Sequence, residues 1–231
     1  MKNILYTLFT LFLISSCTTE TVRDAKQETS HPKIYPDYVD VTIPVNIAPL
    51  NFCMADEKAL LIDAVVADNQ GNSLHSQGDE ALDFDIDDWH QILDNNRGKK
   101  LTVTVSAKYE DGWHTYRPFS ILVSNDSIDY GICYRLIEPG YEVWSKMGIY
   151  ERDLSSFDER ALIENTQFEG CVNCHSFNRG NSADMSIHVR GPHGATLLRS
   201  NGGDFTAYNT KTAETLGLCV YPYWHPSGRY I

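Results

Sequence analysis

The sequence has little positive charge and lacks the motifs of the common enzyme classes. Its 19 Lys and Arg residues are outnumbered by 31 Asp and Glu residues, giving a formal net charge of −12. Proteins that bind nucleic acid need clustered basic residues, so this composition predicts no nucleic-acid partner. The G-x-S-x-G, H-E-x-x-H, P-loop and Rossmann glycine patterns are absent from the 231 residues. We therefore expect a protein that is not an enzyme.

The apolar run at the N-terminus is too short for a membrane-spanning helix. It extends from Ile4 to Ile14, whereas a transmembrane helix needs about 20 apolar residues. A basic start precedes the run and Ser15-Ser16-Cys17 follows it, which is the order of a lipoprotein signal. An ordinary cleaved signal is the alternative. We predict a signal at residues 1–17, acyl chains on Cys17, and an exported protein anchored in the cell envelope, either periplasmic or at the outer membrane.

A tether and a β-rich domain are predicted next. Polar residues without an apolar period predict a flexible tether over residues 18–34. Alternation with period two, as in Thr102–Ala107, and frequent turn signals predict short strands. Asp111-Gly112 predicts a hairpin with a type I′ turn, and Asp87–Leu93 predicts a short helix with acidic residues at its start. We assign an immunoglobulin-like β-sandwich to residues 35–130.

The second half of the chain is predicted as three consecutive segments. Residues 131–170 show turn residues and no clear period, so we interpret them as an irregular linker. Residues 171–194 hold a haem-c-like motif and the strand pattern Met185–Arg190. Residues 195–231 are predicted as the first strands of a β-propeller, which would be incomplete. The predicted fold class is therefore mainly β.

The motif of the segment is C-x-x-C-H, formed by Cys171, Cys174 and His175. Two thiols at this spacing can each add to one vinyl group of the same haem, and the next residue becomes the proximal iron ligand. This order of residues predicts one covalently attached haem c. The cysteines would bind the cofactor, and His175 would also bind its iron.

Further haem contacts are predicted on the strand pattern that follows. The sixth iron ligand should be Met or His, and we prefer Met185, with His188 as the rival and His193 as a third candidate. Strand alternation places Met185 on an apolar face that suits a porphyrin and His188 on the other face. Arg190 or Arg179 could pair with a haem propionate.

Other cysteine chemistry competes with haem attachment. A disulfide between Cys171 and Cys174 is expected in an oxidising compartment if no haem is bound. A zinc site would use both cysteines and His175, with a fourth ligand from His193 or Cys219. The cysteines outside the motif and the signal are an odd number, which leaves one thiol free: Cys53, Cys133 and Cys219.

The C-terminal sequence resembles a repeat of known proteins. YPYWHPSGRYI, residues 221–231, resembles the P-x-W-S-P-D-G-x-x-I repeat that opens blades in TolB-type β-propellers, with His225 and Ser227 in place of the usual Ser and Asp. With its lipoprotein signal and C-x-x-C-H motif, the chain is similar to an exported lipoprotein family of the Bacteroides group, often labelled cytochrome-c-related. The resemblance implies further blades after Ile231, so the sequence is expected to be truncated.

Two functions follow from these features. The first is a membrane-anchored envelope lipoprotein with one c-type haem that acts as an electron carrier or redox sensor. The alternative is a haem-free lipoprotein that binds a protein or polymer and contains a Cys171–Cys174 disulfide. The expected partners are the membrane, through the lipid anchor, and an envelope protein or redox partner.

Overall fold

The structure is a computed structural model. It describes residues 19–56, 58–137, 146–215 and 217–231. Strands make up 41% and there is one helix among these residues, which confirms the mainly β class. No helix in the described ranges is both long and apolar enough to cross a membrane. The predicted lipidation site, Cys17, lies outside the described residues.

The chain divides into two compact units. The first comprises Met1–Ile43 and Leu50–Val123, and the second comprises Pro44–Pro49 and Ser124–Ile231. The boundary after residue 123 lies close to the predicted end of the first domain. The short segment Pro44–Pro49, by contrast, belongs to the second unit, where the backbone N–H of Val45 donates to the carbonyl of Asp126.

One large sheet dominates the first unit. The strands of the first unit are β1 Lys26–Gln27, β2 Ile34–Tyr35, β3 Thr42–Ile43, β4 Cys53–Met54, β5 Leu61–Ala67, β6 Ser73–Gly78, β7 Lys100–Tyr109, β8 Gly112–Thr115 and β9 Phe119–Val123. All of them except β2 and β4 belong to the large sheet. The long strand β7 pairs with β5 along one side and with β8 and β9 along the other. Strands β2 and β4 form the two-stranded ladder. Alternate residues of β7 are buried, as the period-two pattern predicts.

The single described helix, α1, spans Ile86–Asn95 and confirms the predicted short helix. Asp85 caps its N-terminus by accepting hydrogen bonds from the backbone N–H groups of Asp87 and Asp88. Trp89 and Leu93 lie one turn apart and are fully buried. Asp85, Asp87 and Asp88 therefore stabilise the N-terminal end of the helix.

The predicted hairpin is formed by β7 and β8, but its turn is not of type I′. Tyr109 pairs with Gly112, so the loop contains two residues. A type I′ turn needs positive φ at both loop residues. Here the positive φ, 118°, belongs to Gly112, and neither Glu110 nor Asp111 has one. The predicted turn type is therefore wrong, although the hairpin is present.

The described part of the predicted tether lies against the first sheet. We call residues 19–31 the N-terminal strap. Lys108 Nζ binds both carboxylate oxygens of Glu20 at 2.6 and 2.7 Å. Gln77 exchanges two hydrogen bonds with the backbone of Glu20. Further along, β1 pairs in parallel with β8, and His114 lies 2.9 Å from a carboxylate oxygen of Glu28. The strap is therefore part of the folded unit.

The second unit consists of two antiparallel meanders. The first sheet contains β10 Gly131–Ile137, β11 Met147–Asp153 and β12 Glu159–Glu164, and the second contains β13 Val172–Asn178, β14 Asn181–Val189, β15 Ala195–Arg199 and β16 Thr206–Tyr208. The irregular linker predicted for residues 131–170 is therefore wrong over β10–β12. The predicted strands at Met185–Arg190 and Ala195–Arg199 correspond to β14 and β15.

Both sheets contribute to the core of the second unit. Its buried residues are Met147, Ile149, Ile163, Val172, Met185, Ile187, Val189 and Leu197. After β16 the described residues form no strand. The backbone N–H of His225 donates to the carbonyl of Tyr230 at 2.8 Å and closes a turn in which Gly228 has a φ of 72°. The strand pattern predicted at the C-terminal end is thus replaced by this turn.

Candidate functional site around the C-x-x-C-H strand

The C-x-x-C-H residues lie at the start of β13, an edge strand of its sheet. Cys171 directly precedes the strand, and its carbonyl oxygen accepts a 2.9 Å hydrogen bond from the backbone N–H of Arg190. Pairing with β14 therefore starts at Cys171 and continues through Cys174 and His175. The whole motif has an extended backbone that is paired with a neighbouring strand.

A β-bulge inside the motif separates its side chains onto two faces. The register shifts between Val172 and Cys174, so Asn173 has no partner in the pairing. Cys174 then lies opposite His188, and side chains alternate along the strand. We call the face that carries Cys174 the outer face. His175 belongs to the opposite face, which we call the core face because the buried Val172 lies on it.

Arg190 connects Cys174 to an aromatic residue near the end of the chain. Its Nη2 atom lies 3.7 Å from the sulfur of Cys174 and donates a 3.1 Å hydrogen bond to the hydroxyl of Tyr221. The guanidinium carbon is 5.5 Å from the centre of the Tyr221 ring. The pKa of Arg190 is raised, chiefly by the bond to Tyr221. The predicted propionate partner is thus engaged by groups of the protein.

The imidazole of His175 is held in one orientation. Its Nδ1 atom lies 2.8 Å from the carbonyl oxygen of Asn173, and its ring packs edge-on at 5.5 Å from the ring of Phe177. A carbonyl oxygen only accepts hydrogen bonds, so Nδ1 is the donor, and in the neutral imidazole the lone pair is on Nε2. Ligating histidines commonly have this backbone support. His175 is therefore prepared to bind a metal through Nε2.

The two preferred candidates for the sixth iron ligand lie on different faces. Met185 is fully buried in the hydrophobic core. His188 is 1% exposed on the outer face, where its Nδ1 is 3.4 Å from the hydroxyl of Thr196. Burial, and then the charge of Arg190, lowers the pKa of His188. The third candidate, His193, is exposed in a turn.

The chain end lies along the motif strand. We call residues 219–231 the C-terminal segment. The indole Nε1 of Trp224 donates a 3.2 Å hydrogen bond to the carbonyl of Ser176. The guanidinium of Arg179 donates to the carbonyls of Pro226 and the next residue at 3.0 and 2.8 Å. Arg179, the other predicted propionate partner, therefore fixes this segment instead.

Several shallow depressions on the surface have volumes of about 560–610 Å³. One of them, an open groove of about 580 Å³, runs between β13 and the C-terminal segment. Its lining includes His175, Phe177, Arg179, Tyr223, Trp224 and His225. On the C-terminal segment, Tyr221, Tyr223 and Tyr230 are 79%, 80% and 68% exposed. Exposed tyrosine side chains are enriched at protein binding surfaces. This surface is therefore a candidate for binding.

The motif residues do not fit a haem in this conformation. A porphyrin joined to both cysteines must also have His175 beneath the same ring. Cys174 and His175 project from opposite faces of the sheet, because they are neighbours in an extended strand. Attachment of haem would require the residues from Cys171 to His175 to leave the strand. Met185, in addition, is enclosed by core residues on every side.

All five described cysteines are free thiols. Within the described ranges, no group of three or more His, Cys, Asp or Glu side chains is close enough to hold a metal ion. The predicted zinc ligands are thus not assembled in this conformation. Cys133 lies on the neighbouring sheet, where burial and then the charge of Glu151 raise its pKa to about 11.

Sequence reasoning identified the motif but missed its neighbours. Tyr221 and Trp224 contact Arg190 and β13, although about 30 to 50 residues separate the two segments. Both belong to the propeller-like repeat, and nothing in that pattern indicates that it binds this strand. Comparison of the sequence with known protein families and with characterised proteins found no match.

Proposed function

We propose that the chain is an exported, lipid-anchored envelope protein that binds a protein or polymer partner without haem. The observation that supports binding is the exposure of Tyr221, Tyr223 and Tyr230 on the C-terminal segment. Tyrosine contributes a large contact area at low conformational entropy, which favours it at binding surfaces. The lipoprotein signal that ends at Cys17 supports export and anchoring.

The segment that presents the tyrosines is held in place by polar contacts. Trp224 is tied to Ser176, Arg179 to Pro226, and Tyr221 to Arg190. Because these contacts order the backbone before any partner arrives, binding has less entropy to lose. The net charge of −12 favours a partner that is neutral or basic at the contact.

Site-specific photo-crosslinking in intact cells tests this proposal. A crosslinking amino acid replaces Tyr223, which is 80% exposed, and as a matched control Tyr35, which is 69% exposed in the other unit. We expect a discrete higher-mass product from position 223 and none from position 35. No product from position 223, or the same product from both positions, would contradict a partner surface at the C-terminal segment.

We propose as a second candidate the covalent haem c function, in which the chain is an electron carrier or redox sensor. The favouring observation is the bond between Nδ1 of His175 and the carbonyl of Asn173, which leaves Nε2 available as a ligand. Cys171 and Cys174 would carry the thioether bonds, and attachment would have to precede the pairing of β13 with β14. Haem c would supply a one-electron redox centre.

A reduced pyridine spectrum separates the two candidates. The chain is produced in a periplasm that contains the haem-attachment machinery and is then denatured. We expect no haem c bands, because the paired strand keeps Cys174 and His175 apart. A haem c spectrum that disappears when Cys171 and Cys174 are replaced by Ala would overturn the first proposal and establish the second.

We also propose finer fold assignments. The antiparallel meander β13–β16 has the four-strand order of a propeller blade, and this supports a TolB-like blade. The first unit contains a large, mostly antiparallel sheet and a separate β2–β4 ladder, and these two sheets support the immunoglobulin-like sandwich. The resemblance to the Bacteroides lipoprotein family agrees with both assignments. An experimental structure of the protein would test them.

A further inference from the structure

The extended conformation of the motif conflicts with a bond between its two cysteines. Residues three apart in a strand have Cα atoms about 10 Å apart, and a bulge reduces this to roughly 9 Å. A disulfide needs its Cα atoms within about 7 Å, which is also the limit that defines a β-turn. Cys171 and Cys174 can therefore be joined only if residues 171–174 fold into a turn.

Forming that turn would break the start of the β13–β14 pairing. The first bond of the pairing connects the carbonyl of Cys171 with the N–H of Arg190 at 2.9 Å. Just before it, a Cβ atom at Gly170 would overlap the carbonyl oxygen of Arg190. The two backbones thus run in close contact up to the motif. A turn at residues 171–174 cannot keep this contact, because the carbonyl of Cys171 would change direction.

The same change would reach the C-terminal segment. One guanidinium, that of Arg190, contacts both the sulfur of Cys174 and the hydroxyl of Tyr221. Two residues further along β13, the carbonyl of Ser176 receives the indole hydrogen of Trp224. The first contact is made by Arg190, whose backbone is hydrogen-bonded to Cys171, and the second is made by β13 itself. Displacement of the motif would therefore loosen the segment that carries the exposed tyrosines.

We propose that Cys171 and Cys174 form a redox switch that controls the C-terminal segment. As thiols they allow the strand, and the segment is docked. As a disulfide they require a turn, and the segment is released. This inference rests on the proposed function, since it names the regulation of the same binding surface.

The oxidant is a small-molecule or protein disulfide. The thiolate of Cys174 attacks one sulfur of that disulfide, forming a mixed disulfide and releasing one thiolate. The thiolate of Cys171 then attacks the sulfur of Cys174, forming the internal disulfide and releasing the second thiolate. Two electrons and two protons pass from the chain to the oxidant, which becomes two thiols. Cys174 is suited to the first step because it is half-buried rather than enclosed and lies beside the cationic Arg190.

The test uses the full chain, purified in detergent from a host without haem-attachment machinery. It is equilibrated with either reduced or oxidised glutathione, and its disulfides are located by peptide mass analysis. Amide hydrogen exchange is then measured in both states. We expect a Cys171–Cys174 disulfide on oxidation, with exchange at Arg190 and in residues 219–231 at least about tenfold faster.

Two serine variants serve as a matched pair. Cys174→Ser should abolish both the disulfide and the change in exchange, while keeping the slow exchange of the reduced chain. Cys219→Ser removes a thiol of the C-terminal segment and should leave the switch intact. A disulfide without faster exchange at Arg190 would overturn the switch, as would a chain that gains only glutathione adducts. The crosslink at position 223 is a separate measurement made in intact cells, so absence of the partner surface is distinguishable from failure of the switch.

Discussion

The role of Met185 in the core can be measured by comparing two substitutions. Met185 is fully buried, and its pairing partner on β13 is Phe177. Met185→Ala removes the Cγ, Sδ and Cε atoms. At about 0.8 kcal/mol for each buried group of methylene size, the lost transfer free energy is about 2.4 kcal/mol. The cavity left among the core residues adds about 1 kcal/mol or more, giving about 3 to 4 kcal/mol of lost stability.

Met185→Leu keeps nearly the same volume and hydrophobicity. We expect it to lower the free energy of unfolding by less than about 1.5 kcal/mol. Because the chain has two units, a single unfolding curve would mix their transitions. Native-state hydrogen exchange at the amides of β14 and β15 reports on the second unit alone. That measurement therefore gives the change in free energy for each variant.

The comparison separates packing from ligation. If Met185 is a core residue, replacement by Leu preserves most of the stability and replacement by Ala does not. If Met185 is an iron ligand, both replacements remove the stabilisation, because only the Met sulfur binds the metal. If the two variants lose the same stability, or if Met185→Ala loses less than about 1 kcal/mol, the assignment of Met185 to the core is refuted.

Two further predictions concern backbone approach and acid stability. Gly170→Ala should destabilise the second unit by about 1 to 3 kcal/mol, because its Cβ would overlap the carbonyl of Arg190, and Gly217→Ala, with open space around it, is the control. Equal free energies of hydrogen exchange at the amides of β14 and β15 for these two variants would contradict the close approach. Asp68 accepts hydrogen bonds from Asn72 and its neighbours, which lower its pKa to about 2. Its folded pKa lies below its unfolded value, so its contribution is present at neutral pH and lost as the pH falls from about 5 towards 2. Asp68→Asn should lower the melting temperature of the first unit at pH 7 and flatten its decline in acid; an unchanged pH profile would show that the carboxylate is not stabilised as described.

Local patterns sufficed where neighbours in sequence are also neighbours in space. Helix α1 was predictable because Asp85 caps its own helix and Trp89 and Leu93 share one face. Strands β14 and β15 were predictable because apolar and polar residue types alternate over Met185–Arg190 and a turn signal at residues 191–194 separates the two strands of a short meander. In each case the decisive interactions lie within about 15 residues of one another, and the sequence displays them directly.

The predictions failed where distant residues decide the structure. The strap looked like a tether because it is polar, yet Glu20 binds Lys108, 88 residues away. Strand β10 alternates poorly because most of its residues are only partly buried. The motif at Cys174 was interpreted through its chemistry, and the strand pairing with His188 had no separate signal. Strand order and long-range ion pairs are not visible in periodicity.

The N-terminal strap limits how far the protein can be from its proposed anchor. Glu20 is fixed to the first sheet by Lys108 and Gln77. With acyl chains on Cys17, only three peptide links separate the lipid from this fixed point, and they span at most about 10 Å. The first unit would then be confined to the membrane surface. Partners that the protein meets would be those that reach this surface, and its encounters would take place in two dimensions.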